Sequence, residues 1–154
     1  MKKIITMVAI VMMMISFTSA IDSKPEVARA GYQAPNFKLH NIEGKVAMEL
    51  QRLRGQEVII TFWSSANPAS RIANRQAIAE AKQKKVRHIS VNLDRESVIC
   101  HEICQADGIS AYYCTESDRD NLKRDWGIDD STMNGMGTWH VNADGKITSC
   151  TVAY

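Results

Sequence analysis

The chain has no cysteine before Cys100, three prolines and eight glycines in 154 residues, and no apolar run of bilayer length. Each shortage excludes something. Without an early cysteine, no lipid anchor can follow the N-terminal segment, and no sulfur can act in the first half of the chain. The longest apolar run, Ile4 to Phe17, has about 14 residues where a spanning helix needs about 20. No repeat, low-complexity tract or glycine-rich phosphate loop occurs. No serine, histidine and acid stand in a recognisable nucleophile setting, and the carboxylates scatter over predicted surfaces.

What is present at the N-terminus is a basic start at Lys2 and Lys3, the apolar run, and Thr18-Ser19-Ala20 before acidic Asp22. That pattern predicts a secretory signal over residues 1–20, cleaved near Ala20, and an exported protein, periplasmic or secreted, with no membrane attachment afterwards. Lys2 and Lys3 leave with the signal, so 17 of the 19 basic residues remain to face 17 acidic ones. A balanced charge argues against nucleic acid as partner. With 45% apolar and 23% charged residues, the remainder fits one globular domain, 34–154, behind a polar leader, 21–33, expected to be flexible. Export makes Cys100, Cys104, Cys114 and Cys150 disulfide candidates, with three complete pairings open.

Along the domain, 36–39 and 45–50 flank Glu43-Gly44 and predict a hairpin. Residues 57–63 read as a buried strand, and 69–85, free of proline and glycine, as a helix with Ile72 and Ile78 as its large apolar positions. A second strand is expected at 87–93 and a second helix at 96–106, with Val98, Ile99 and Ile103 as its apolar positions and Asp107-Gly108 ending it. Residues 112–115 suit a short strand or ordered loop. A third helix, 118–126, would be capped by Ser117 or Asp118 and stopped at Gly127. The last pair of strands, 137–142 and 146–152, turns on Asp144-Gly145. Strands alternating with helices and flanked by hairpins predict an α/β domain with a mixed central sheet and helices on both faces.

Between the buried strand and first helix lies Phe62-Trp63-Ser64-Ser65-Ala66-Asn67-Pro68-Ala69-Ser70-Arg71. A strand, a small-residue turn and a helix N-terminus are the layout that stabilises a thiolate, yet no sulfur is there. Asn67 and Ser70 suit helix capping instead, with an anion site at the same amides as the alternative. Those residues, with Gly31-Tyr32-Gln33-Ala34-Pro35-Asn36-Phe37, Gly44-Lys45, Leu53-Arg54-Gly55 and Asn142-Ala143-Asp144-Gly145-Lys146-Ile147, resemble the thioredoxin-like superfamily, in its exported TlpA/ResA and redoxin (AhpC/TSA-type) branch. The likeness runs from about residue 31 to 150. It implies a thioredoxin-like fold, cysteines at the positions of Asn67 and Ser70, tryptophan at Ala66, and a cis-proline where Met136 stands. All four positions depart from the pattern. Relatives often add a C-terminal helix after the last strand, which is not found by Tyr154.

Two readings follow. In the first, the degenerate site is a non-catalytic module that binds a protein or peptide through Trp63, Ala66, Asn67, Pro68, Ser70, Arg71 and Met136, within the edge 63–71 and 135–139. In the second, a thiol-disulfide oxidoreductase works through Cys100 with Cys104 or Cys114, its thiol pKa lowered near the start of the second helix. Neither needs a cofactor or metal. His101 points about 100° away from Cys100 on a helix, and distant His140 has no spacing that recommends it as a ligand. Lys82, Lys84, Lys85 and Arg87 read as a solvated basic helix end.

Overall fold

In the computed structural model, which describes residues 28–41, 43, 45–129 and 136–152, all six residues of the strand Val58–Trp63 (β3) are buried. A run of valine, isoleucine, threonine and aromatics suits a pleated strand covered on both faces. Its neighbours are Arg87–Asn92 (β4), parallel, and Gly137–Val141 (β6), antiparallel. Tyr112–Tyr113 (β5) lies outside β4 and Ile147–Val152 (β7) outside β6, giving the order β5-β4-β3-β6-β7. A separate antiparallel pair, Lys38–His40 (β1) and Val46–Glu49 (β2), precedes the sheet. The expected mixed sheet is present. Gly44 of the first hairpin lies outside the described residues, and the Asn41 side chain accepts the Glu43 and Lys45 N–H groups there.

Side-chain alternation divides the sheet into unlike faces. Val58, Ile60 and Phe62 share a core with Ile89, Val91, Trp139, Val141 and the hairpin residues Leu39 and Met48. The helix Glu116–Trp126 (α3) adds Leu122 and Trp126 to it. Phe62 stands edge to face with Trp126 at 5.1 Å and Trp139 at 5.4 Å between ring centroids, and Phe37 closes the group at 5.9 Å from Trp126. Each such pair contributes about 0.5–1.5 kcal/mol beyond its burial. Residues 28–33, within the expected flexible leader, dock on this framework. Ala28 O accepts the Trp139 indole N–H, and Gly31 and Tyr32 exchange backbone bonds with Ile147.

The opposite face carries Ile59, Thr61 and Trp63 and is covered by the helix Pro68–Lys84 (α1). The expected helix is present, but its large apolar residues do not mark the inward face: Ile72 is 55% exposed and Ile78 half-buried, while Ser70, Asn74, Ala77 and Ala81 point at the sheet. Small side chains let α1 approach closely, and hydrogen bonds supply what apolar volume does not. Trp63 Nε1–H donates to Ser90 Oγ, which donates to Asn74 Oδ1, both at 2.8 Å. The helix Ser97–Asp107 (α2) departs similarly, exposing Val98 and Ile99 and burying Cys100. Arg71, with Arg75, pairs with Asp107 at the far end of α2, tying the two helices together. In α3 the cap is Thr115, two to three residues earlier than expected, with its hydroxyl accepting the Asp118 N–H, while the Asp118 carboxylate is bonded to His40.

The β6–β7 turn follows expectation, with Gly145 at φ 79° and Asn142 Oδ1 accepting the Lys146 N–H. At the start of β6, a Cβ on Gly137 would overlap the Thr151 carbonyl oxygen and Val152 Cα. Gly137→Ala should therefore destabilise the fold by about 1–3 kcal/mol or more in urea denaturation, and an unchanged midpoint would refute the close approach. His88, on the α1 face, is hydrogen-bonded to Thr61 Oγ1 at 3.0 Å, and burial lowers its pKa to about 4. Because the folded value lies below the unfolded value of about 6.5, stability should be full above that pH and decline toward pH 4. His88→Gln should flatten that slope in urea midpoints measured across the window; equal slopes would discount the histidine.

Candidate functional site

The turn after β3 is closed by its own side chains. Asp94, just beyond β4, accepts the Ser64 hydroxyl at 2.6 Å, the Ser65 N–H at 2.9 Å and the Asn92 amide at 3.0 Å. Ser64 Oγ in turn accepts the Ala66 N–H, and Arg119 donates to the Asp94 carbonyl. Asn67 is the N-cap of α1, accepting the Ser70 N–H at 2.9 Å, and Ser70 Oγ donates to the Asn67 carbonyl at 2.8 Å and accepts the Ser64 N–H. Both residues at the expected thiol positions are buried, at 4% and 0% exposure, with their polar groups engaged. The amides that would hold an anion are bonded to Ser64, Asn67 and the Asp94 carboxylate. A second negative charge would be repelled, so the anion reading is not supported. Asp94 carried no motif; its position directly after a strand, facing a turn rich in serine, was its only signal.

An open cleft of about 310 Å³ lies against this turn. Ser65, Ala66 and Asn67 form one wall, Asp94, Glu96 and Ile99 the other, and Met136 lies at 3% exposure in the lining. Ala66, Asn67 and Met136 are thus brought together as expected, although Met136 belongs to the core. Pro68 and Arg71 border a neighbouring hollow with Ile72, and the Arg71 charge is already paired with Asp107. Trp63 does not belong to the surface at all. It is fully buried with its indole N–H satisfied by Ser90, as Trp139 is with Ala28. Gly135 lies outside the described residues, among which there is no cis peptide bond.

The cysteines are four free thiols. Cys100 Sγ and Cys104 Sγ lie 3.9 Å apart on one face of α2. The expected lowering of the Cys100 pKa is reversed. Burial, then the Cys104 thiol and the Asp94 carboxylate, push it up to about 12. Cys114, fully buried, is pushed up to about 12 by burial and Asp118, and burial also raises Cys104. Proximity to a helix start does not help a sulfur that points inward, away from the amides. Cys150 sits on exposed β7, four strand spacings from β5 and the adjoining Cys114, or about 19 Å. A disulfide needs Cα atoms within about 7 Å, so Cys114 and Cys150 cannot pair directly in this fold. His101 is exposed, and no three metal-ligating side chains converge among the described residues.

Asp94→Ala should leave the Ser64 hydroxyl and Ser65 amide without their acceptor, costing about 1–3 kcal/mol. Amide exchange at Ser65 should quicken more than in β3; uniform exchange rates in the variant would refute the role of Asp94 as the turn's anchor.

No family model matches the chain. A thiol-disulfide oxidoreductase ResA from Halalkalibacterium halodurans is 30% identical over 98 residues, 62% of this chain and 55% of the relative. The chain therefore spans about half the length of the curated relative it matches. Among solved structures, the thioredoxin domain of a Bacteroides vulgatus thiol-disulfide oxidoreductase has a TM-score of 0.66 at 16% identity, covering 81% of this chain and 89% of that one. A thiol:disulfide interchange protein from Bacteroides sp. gives 0.62 at 17%, covering 79% and 80%. StoA from Bacillus subtilis gives 0.53 at 17%, covering 78% and 89%. Structural likeness at this identity speaks for the fold, and the sequence match speaks for kinship. The chain has the thioredoxin-like fold, and the curated protein it is similar to in sequence is a thiol-disulfide oxidoreductase ResA.

Proposed function

We propose that this chain is an exported thioredoxin-like binding module that holds an extended polypeptide segment in the cleft beside Ser64–Asn67 and performs no dithiol exchange there. The observation that carries this reading is the pair Asn67 and Ser70, buried as caps where the exchange chemistry would need two thiols. Exchange requires a thiolate to attack and a second thiol to resolve the mixed disulfide, and neither side chain can do either. Apolar exposure supports a polypeptide occupant. Ile99 lines the cleft at 41% exposure, Val98 beside it is 64% exposed, and Ile72 borders the adjoining hollow. Export rests on the N-terminal pattern of basic start, apolar run and small-residue cleavage site.

One observation favours a second reading, a thiol-disulfide oxidoreductase using Cys100 with Cys104 or Cys114: the two sulfurs at 3.9 Å. Against it, a thiol held at about 12 is ionised to only about one part in 10⁵ at neutral pH.

With dithiothreitol as reductant, the chain should not raise the rate of insulin reduction above background, and Cys100→Ser should change nothing. A rate abolished by Cys100→Ser would overturn the binding-module reading. For the cleft itself, peptides selected from a random display library should lose tenfold or more in affinity to Ala66→Arg and Ile99→Asp; peptides indifferent to both would place the surface elsewhere.

A further inference from the structure

His140 and Ser149 stand directly opposite one another in the β6–β7 ladder, on the face that α1 covers. Ser149 Oγ lies 2.8 Å from His140 Nδ1. The other ring nitrogen, Nε2, lies 3.0 Å from Glu80 Oε1 on α1. Hydrogen bonds from Lys84, at 2.6 Å, and from His140 hold the Glu80 carboxyl below the usual range, so it is an acceptor. An ionised Glu80 places the ring proton on Nε2 and leaves the Nδ1 lone pair facing the serine hydroxyl. Ser149 is exposed, while the His140 and Glu80 side chains are only 25% and 33% exposed. The three border a cleft of about 310 Å³ that includes Glu57 and Val58 at the start of β3, the opposite end of that strand from the Ser64–Asn67 turn.

We propose that Ser149, His140 and Glu80 form a serine nucleophile centre that accepts acyl groups from esters. A hydroxyl hydrogen-bonded to a base, with that base oriented by a carboxylate, is the arrangement that activates a serine. Ser149 Oγ bonds to the ester carbonyl carbon while its proton passes to His140 Nδ1. As the tetrahedral adduct collapses, the bond to the leaving alkoxide breaks and the alkoxide takes that proton. Water then gives a proton to the same nitrogen as its oxygen bonds to the acyl carbon, and collapse of that adduct breaks the Ser149 Oγ–acyl bond, releases the acid and returns the proton to Oγ. Lys84, whose ammonium is bonded to Glu80 at 2.6 Å, also lines the cleft and is the cation that this centre offers to the oxyanion. Glu80 is a positioning residue. The residues are 60 and nine positions from His140 and match no local motif, so their meeting depends on strand register and on α1 crossing β6.

The test uses p-nitrophenyl acetate and a fluorophosphonate probe on the full chain. Nitrophenolate release should fall about 10²-fold in Ser149→Ala and His140→Gln, and peptide mapping should find the fluorophosphonate on Ser149. Glu80→Gln should lower kcat with KM unchanged. A folded Ser149→Ala with undiminished release, or a label confined to lysines, overturns the proposal. Should the alanine variant fail to fold, mapping of the labelled parent chain decides alone.

Discussion

The stacking of Phe62 against Trp126 and Trp139 is the contact on which the rest of the structure depends. Those three rings come from the central strand, the last helix and the antiparallel strand beside it, and Phe37 brings in the segment before the first hairpin. Burying large aromatics edge to face draws four separate stretches of chain to one point. Everything near the turn after β3 is then placed by short connections from that point. Trp63, one residue beyond Phe62, must face the other way, and its indole finds Ser90 and, through it, Asn74.

That alternation explains why the two sides of the sheet obey different rules. One side is held by apolar volume. The other is held by directed hydrogen bonds among Thr61, His88, Thr138, Ser90 and Asn74, and by those of Ser70 to the turn at Ser64 and Asn67, with alanines where the helix comes nearest. Hydrogen bonds fix rotation and register more tightly than an apolar contact does, because they are directional. The start of α1 is thereby set, and with it the turn that Asp94 seals. With the Ser65 amide given to the Asp94 carboxylate and the Ser70 amide to the Asn67 side chain, neither amide is left to stabilise a thiolate.

The parts of this fold that were legible in the sequence are those written locally. β3 announced itself as an apolar run broken only by Thr61, and Asp144-Gly145 as a hairpin turn. Gly108 and Gly127 marked the ends of α2 and α3 by taking the left-handed conformation that few other residues accept. The inward faces of α1 and α2 were not legible, because reading depth from isoleucine and valine assumes an apolar interface. Here Ser70 and Asn74, with polar partners at Asn67 and Ser90, take the inward face of α1, and Ile72 faces outward. Trp63 and Trp139 misled for a related reason, since an indole near a strand end suits either a surface platform or a core with one buried acceptor. Asp94, and the meeting of Glu80, His140 and Ser149, depend on strand register, which no window of sequence contains.

The depth of Cys100 and Cys114 has a further consequence. Thiol oxidation proceeds through the thiolate and needs access by the oxidant, and both are denied while α2 is seated. In an oxidising compartment the state of these sulfurs is then governed by kinetics: how often α2 lifts away, set against how fast an oxidant strikes the open form. The sulfurs thereby record the lifetime of the closed structure rather than the potential of their surroundings. Exposed Cys150, on β7, has no such shelter and equilibrates with whatever thiols and disulfides surround it.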